Sequence, residues 1–226
     1  MPKDSGIGAS PKRREDVRFL TGNGNYTDDI NSNGQAYVYF LRSDMAHGRI
    51  TSINTSDAAD MPGVVRIFTA ADFEAVGGVP CGWEITDRHG NAMQEPKHPI
   101  LAEAKVRHVG EPIAAVVAES LEQARDAAEV IVLDIEELPA VVDMKAAVAE
   151  GSIKVHDDLT SNLCYDWGFV EENRGAVEQA FQDAAHVTTL ELINNRLVAN
   201  PMEPRVAIGE YNRSTDDSTL YTTSQN

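Results

Sequence analysis

"VGEPIAAVVAESLEQARDAAEVIVLDIEELPAVVD", Val109 to Asp143, is the stretch that decides the fold. Ile113 to Ala118 is an unbroken apolar run of strand length, entered through the turn residues Gly110 and Pro112. Ser120 followed three residues later by Gln123 has the form of a capping box. Behind it, Leu121, Ala124 and Ala128 form a helical stripe. Val130 to Pro139 then reads as a second strand. Strand, helix and strand with short joins predict a right-handed βαβ unit.

Working toward the N-terminus, "VVRIFTAADF" (Val64–Phe73) predicts a strand that runs into a helix start, with Thr69 and Asp72 as a capping box. "GRITSINTS" (Gly48–Ser56) predicts a strand, then a short helix capped by Ser56 and stopped at Pro62–Gly63. "GQAYVYFLRS" (Gly34–Ser43) has Ala36, Val38 and Phe40 on one face and Tyr37, Tyr39 and Leu41 on the other. Two apolar faces predict a central strand covered on both sides. Before it, "FLTGNGNYTDDI" (Phe19–Ile30) is turn chemistry. It begins a GxGxxG pattern at Gly22 and Gly24, but Thr27 occupies the third glycine's place and neither a preceding strand nor a following helix is present, which argues against a dinucleotide fingerprint. Residues 1–19 read as an N-terminal arm and residues 20–140 as one α/β domain. Within it, Gly77 to Pro99 is an irregular surface excursion with prolines at 80, 96 and 99.

Toward the C-terminus, Ala140 to Asn162 is charged and aperiodic, and residues 141–160 are expected to be a linker. A second unit, 161–226, carries a helix with Val177, Ala180, Phe181 and Ala184 on one face. Three strands are expected after it: His186–Val198, Arg205–Tyr211 and Ser218–Gln225, the last two joined by a hairpin loop. One helix and three strands in so short a segment are too few to close a core, so the segment is expected to be the opening of a larger domain.

Composition bounds the function classes. Acids outnumber bases 36 to 19, for a formal charge of −17, which disfavours nucleic acid and anionic membrane surfaces as partners. No apolar run approaches the roughly 18 residues of a membrane span. Lys12, Arg13 and Arg14 are followed by acids and not by an apolar segment, so a cytoplasmic chain is expected. Cys81 and Cys164 form no CxxC; both are expected to be free thiols, Cys164 as a buried one in a strand. No HExxH, GxSxG or P-loop is present, and the plentiful carboxylates lie on polar faces or loops. The six histidines lack metal-ligand spacing; His89 and His98 share a loop, where solvent-facing side chains are expected, and His47 is expected to make a turn hydrogen bond. In "NPMEPR" (Asn200–Arg205) two prolines remove donors, and Glu203 between them is placed to pair with Arg205 or to cap a neighbour.

Four stretches in collinear order carry a resemblance: "KRREDVRFLTGNGNYTDDI", "RSDMAHGRITSINTSDAADMPGVVRIFTAADF", the quoted Val109–Asp143 segment, and "NRLVANPMEPRVAIGEYN…LYTTSQN". Together they resemble the start of the large, molybdopterin-binding subunit of the xanthine dehydrogenase, aldehyde oxidase and carbon monoxide dehydrogenase family. The resemblance implies an α+β chain: an α/β hammerhead domain, then the first strands and helix of an incomplete molybdenum-cofactor-binding domain. It implies an oxidoreductase that, in the intact protein, oxidises aldehydes, N-heterocycles or carbon monoxide with oxygen from water. The cofactor would be molybdenum on molybdopterin, in some members as its cytosine dinucleotide. Electrons would leave through 2Fe–2S clusters and FAD on a small and a medium partner subunit, in a hetero-oligomer. By position, Gln225 of "TTSQN" matches the glutamine whose amide hydrogen-bonds an oxo ligand of the metal. The catalytic glutamate and the pterin loops would lie past Asn226, so the 226 residues alone are expected to be inactive and to bind no cofactor. The competing reading is a stand-alone hammerhead module that docks other subunits without catalysis.

Overall fold

The structure is a computed structural model that describes residues 6–168, 171–201 and 203–224. Its elements, in chain order, are α1 (Asp16–Leu20), β1 (Tyr37–Arg42), β2 (Gly48–Asn54), α2 (Ser56–Ala59), β3 (Val64–Phe68), β4 (Lys105–Val106), β5 (Pro112–Ala118), α3 (Leu121–Val130), β6 (Val132–Glu137), α4 (Met144–Ala147), α5 (Arg174–Asp183), β7 (Ala207–Asn212) and β8 (Asp217–Thr222). Single-turn or short 3-10 helices cover Thr27–Asp29, Ala70–Val76 and Glu171–Asn173. The result is a mixed α+β chain that forms two units, Ala36–Leu190 and Met1–Gln35 with Glu191–Asn226.

The larger unit holds two three-stranded sheets, ordered β1-β5-β3 and β4-β2-β6. Every pairing in them is antiparallel. This corrects the expected βαβ unit: β5 and β6 flank α3 as anticipated, but they lie in different sheets. A parallel pair would need both strands in one sheet. Instead β5 is claimed on both edges by β1 and β3, and β6 pairs with β2. The ten-residue α3, roughly 15 Å long, therefore carries the chain from one sheet to the other.

β1 and β2 make the same change of sheet within five residues. Ser43 N–H donates to Glu111 O at 2.9 Å and Gly110 N–H to Ser43 O at 2.7 Å, so the end of β1 stays bound to the β5 side. His47 O then accepts Leu138 N–H at 3.0 Å, and buried His47 places Nδ1 2.8 Å from Pro139 O, fixing the start of β2 to the end of β6. His47 thus makes the expected turn hydrogen bond. Gly48 is needed beside it: a Cβ there would sit 2.3 Å from Ile135 Cγ2 and 3.2 Å from Glu136 O.

The core lies between α3 and one face of the first sheet. Ala124, Ala127 and Ala128 pack on Ala114, Val116 and Ala118, with Tyr39, Leu41, Val64 and Ile67 around them. Small residues on both sides let helix and sheet approach closely. Leu121, expected in the stripe, is instead partly exposed, and Ala127 takes its place. A second cluster, Ala102, Val106 and Ile113, packs with Ile50, Leu133 and Ile135. β1 is an edge strand and not the central strand its two apolar faces suggest: Val38 and Phe40 are exposed, with the Arg42 guanidinium 5.5 Å from the Phe40 ring centre. Tyr39 and Leu41 alone face the core.

Caps follow the sequence closely. Ser120 Oγ accepts Gln123 N–H at 3.2 Å, and Asp72 Oδ2 accepts Thr69 N–H at 2.8 Å while its other oxygen meets Arg66 at 3.0 Å. Those contacts hold the Asp72 carboxyl below its ordinary pKa. At α2 the expected Ser56 cap moves back: Asn54 Oδ1 accepts Ser56 N–H at 3.0 Å, and Ser56 is the first helical residue.

The Gly77–Pro99 excursion is tied down. Its tip is a small bridged turn, Thr86 opposite Ala92, in which Asp87 Oδ1 accepts the N–H groups of His89 and Asn91 at 2.8 Å. Arg88 Nη2 meets Asp166 Oδ1 at 2.8 Å and Trp167 O at 3.1 Å, and Gln94 N–H donates to Cys164 O at 2.8 Å. Cys164 corrects its expectation here. It is exposed and outside any strand, with Sγ 3.2 Å from Gln94 O, because its neighbours pair with a loop and not with a sheet. Cys81 is also exposed, and both thiols are free.

The segment expected as linker is ordered around one side chain. Asn162 Nδ2 donates to Ala147 O at 2.9 Å and Ile153 O at 2.8 Å, while its Oδ1 accepts Val155 N–H at 2.8 Å. Nearly buried Lys105 reaches Asp157 Oδ2 at 2.5 Å and holds that carboxyl below its ordinary value. Next to it, burial and the nearby Arg107 charge keep the His156 imidazole below its ordinary 6.5, against the opposing pull of Asp158, Glu111 and Asp157.

A depressed histidine pKa means that the unfolded chain binds the proton more readily. Stability is therefore present above the ordinary value and falls as pH drops through 6.5 toward the folded value. Urea unfolding followed from pH 7.5 to 5.5 is expected to show this loss, and His156→Gln is expected to flatten it. Gly48→Ala is expected to lower stability by about 1–3 kcal/mol through overpacking, measured in the same assay at pH 7.5.

Candidate functional site

In the smaller unit, β7 and β8 form an antiparallel hairpin in register from Ala207 opposite Thr222 to Asn212 opposite Asp217. These are the two expected C-terminal strands. The connection is built locally: Asn212 Oδ1 accepts Ser214 N–H at 3.0 Å, and Asp216 takes φ of 59°, which asparagine and aspartate tolerate best among non-glycine residues. Tyr211 Oη donates to Asp216 Oδ1 at 2.7 Å, which raises the phenol's pKa.

The third expected strand, His186–Val198, is not one: among the described residues no strand pairs with it. Alternation alone does not make a strand without a ladder partner. Leu190, Leu192 and Ile193 are more than 70% exposed, and Leu197 is 91% exposed. β8 is exposed along its whole length, and α5 leaves Val177 and Phe181 exposed on its apolar stripe.

"PMEPR" is the hub of this unit. Glu203 Oε1 accepts Thr27 N–H at 3.2 Å and faces Thr27 Oγ1 at 3.4 Å. Of the two expected roles the carboxylate takes the second: it caps the turn Thr27–Asp29 and does not bridge to Arg205, which is exposed. The first N–H of such a turn has no partner within it, and the Glu203 carboxylate supplies one. The turn is closed on itself by Tyr26 N–H to Asp29 Oδ2 at 2.8 Å and supported by stacking of Phe19 on Tyr26, centroids 5.9 Å apart. Farther along, Ser32 Oγ donates to Glu210 Oε1 on β7 at 2.8 Å.

On the other side of the hub, Val206 N–H donates to Thr223 Oγ1 at 3.2 Å, Thr223 N–H to Val206 O at 3.3 Å, and Thr223 Oγ1 approaches Pro204 O at 3.5 Å. Gln225, the one cofactor-contacting residue expected, lies outside the described residues, two positions after Thr223. Thr27, Ser32 and Thr223 were missed in the sequence. The only signal was the turn chemistry of Phe19–Ile30.

His89 and His98 are exposed on their loop, and among the described residues no group of three or more histidine, cysteine, aspartate or glutamate side chains is placed to hold a metal ion. Among those residues, too, no helix is long and apolar enough to cross a membrane.

Comparison with known proteins matches residues 21–139 to the a/b hammerhead domain of aldehyde oxidase and xanthine dehydrogenase, and residues 155–226 to the molybdopterin cofactor-binding domain. The large subunit of nicotine 6-hydroxylase from Paenarthrobacter nicotinovorans is 35% identical over 97% of this chain and 26% of its own. The carbon monoxide dehydrogenase large chain of Afipia carboxidovorans is 35% identical over 71% of this chain and 19% of its own. Among solved structures, quinoline 2-oxidoreductase from Pseudomonas putida 86 superposes with a TM-score of 0.80 at 36% identity, covering 97% of this chain and 27% of that one. The chain spans about a quarter of the length of such relatives.

The tie between Arg88 and Asp166 is expected to control the Gly77–Pro99 loop. Arg88→Ala should speed proteolytic cleavage within residues 80–98 severalfold, read by mass spectrometry of the fragments, with little change elsewhere in the chain.

Proposed function

Because the chain belongs to the aldehyde oxidase and xanthine dehydrogenase family, we propose that it forms the hammerhead domain and the opening of the cofactor-binding domain in the large subunit of a molybdenum hydroxylase. The whole protein would oxidise a small carbon substrate with oxygen from water. Electrons would pass to 2Fe–2S and FAD groups on a small and a medium partner subunit in the cytoplasm. Nicotine and quinoline, named in two relatives that match 97% of this chain, favour an N-heterocycle as the substrate class.

One observation carries this reading: the β7–β8 hairpin leaves Tyr211, Leu220 and Tyr221 exposed and runs, with its end tied by Thr223, into "TTSQN". A two-stranded hairpin is at best marginal alone, so these faces call for further strands or helices to cover them. They suit a wall of a larger domain.

The fit to a molybdopterin cofactor is partial. The described residues contain no ligand cluster for a metal, so this stretch contributes placement and not ligation. The cofactor, when bound, supplies the redox chemistry. Gln225 would donate its amide N–H toward the cofactor, a neutral donor that adds no competing base.

The 226 residues purified alone are expected to hold far less than one molybdenum per chain by metal analysis. A whole large subunit co-expressed with its cofactor is expected to approach one. Stoichiometric molybdenum in the short chain would overturn the division of labour proposed here. In the whole enzyme, Gln225→Ala is expected to lower kcat at least tenfold while metal content stays near that of the parent. An unchanged kcat would remove Gln225 from the site.

A further inference from the structure

We propose that Asn33 is a site of spontaneous covalent modification: its side chain converts to aspartate and isoaspartate, and the change loosens the N-terminal segment from β7. The chain has two Asn–Gly pairs, Asn23–Gly24 and Asn33–Gly34. In such a pair the glycine nitrogen reaches the asparagine side chain with no Cβ in its way. The fold leaves one pair open and holds the other.

Asn33 and Gly34 are the central residues of a turn that Gln35 N–H closes onto Ser32 O at 3.2 Å. Gly34 has φ of 74°, the left-handed value that glycine accepts in a tight turn. Both residues are exposed, and nothing lies within 4 Å of the place a Gly34 Cβ would take. Among the described residues the Asn33 side chain has no hydrogen-bond partner. Its amide and the Gly34 nitrogen are therefore free to turn toward each other. At the other pair, Asn23 Nδ2 donates to Thr21 Oγ1 at 2.9 Å and Asn23 N–H to Arg18 O at 2.9 Å. The Phe19 ring lies against that glycine, since a Gly24 Cβ would sit 3.0 Å from it.

The reaction needs water alone. The Gly34 nitrogen gives up its proton and bonds to Asn33 Cγ. The Cγ–Nδ2 bond breaks, the proton goes to the leaving nitrogen, and ammonia departs from a five-membered succinimide. Water then opens the ring at one carbonyl to aspartate or at the other to isoaspartate. No electrons are transferred.

Ser32, the preceding residue, carries the consequence. Its Oγ donates to Glu210 Oε1 on β7 at 2.8 Å, and its N–H to Gln35 Oε1 at 3.0 Å. Either product places a new negative charge next in sequence to a residue bound by a carboxylate. Isoaspartate also puts Cβ into the main chain, so the turn between Ser32 and Gln35 no longer has the length that its two hydrogen bonds require. The contact of Thr27 with Glu203 lies outside this turn and stays in place.

The test uses the whole large subunit, incubated at pH 8 and at pH 6 and then digested. Mass spectrometry reads the gain that an amide-to-acid change brings, and a protease that cuts at aspartate but not at isoaspartate separates the products. Asn33 is expected to convert about tenfold faster than Asn23, because its turn opens locally at little cost, and faster at pH 8 than at pH 6. Hydrogen exchange at the Ser32 and Gln35 amides is expected to rise severalfold in the converted protein. Asn33→Gln, whose longer side chain closes the ring poorly, is expected to keep both amides at their fresh rates after the same incubation. If that variant does not fold, fresh and incubated parent protein decide the matter. An Asn33 that stays intact, or converts no faster than Asn23, overturns the proposal. Conversion with unchanged exchange at Ser32 and Gln35 overturns it as well, and so does an equal rise in incubated Asn33→Gln.

Discussion

The change of sheet between Ser43 and Gly48 is the constraint on which the larger unit depends. A five-residue join between two strands would ordinarily close a hairpin. Here the backbone of Ser43 is bound to Gly110 and Glu111, and that of His47 to Leu138. The two strands are therefore held apart, one in each sheet. Gly48 makes this possible, since a side chain there would meet Ile135 and the main chain of Glu136. Once β1 and β2 are separated, β5 and β6 must separate too, because each is the antiparallel partner of one of them. The helix α3 then has only one place to lie, across the alanine-rich face of the first sheet.

The smaller unit is organised on a different principle. Few of its apolar side chains are covered, and its order comes from polar ties converging on Glu203, Pro204 and Val206. Two prolines make such ties necessary, since they remove the main-chain donors that would otherwise extend the ladder. A unit of this kind is held in shape while most of its apolar side chains stay exposed.

Much of this was legible in the residues. The capping box at Thr69, the Ser120 half of the one expected with Gln123, the turn at Gly110, the C-terminal hairpin and the hydrogen-bonded role of His47 all follow from local chemistry that acts within a few residues. The errors share a cause. The two apolar faces of β1 predict a central strand, yet Val38 and Phe40 are left on an open face, with only the Phe40 ring covered by Arg42. Leu121 looked like core because it falls on the helical stripe, yet the sheet is met by Ala127. His186–Val198 alternates like a strand but finds no partner among the described residues. Asn162 and Asp157, in or at the end of the stretch whose aperiodic pattern predicts a linker, bind Ala147 and Lys105, groups that sequence spacing does not reveal.

The sequence by itself determined where strands, helices and turns begin, because propensity, capping and periodicity are properties of neighbouring residues. It also determined the family, because several separate motifs recur in one order. Only the tertiary structure decided which strand pairs with which. It also decided that β5 and β6 part company across α3, and that Glu203 serves a turn 176 residues away. Pairing depends on which edges compete for one another in space, and that competition leaves no trace in any single stretch of chain.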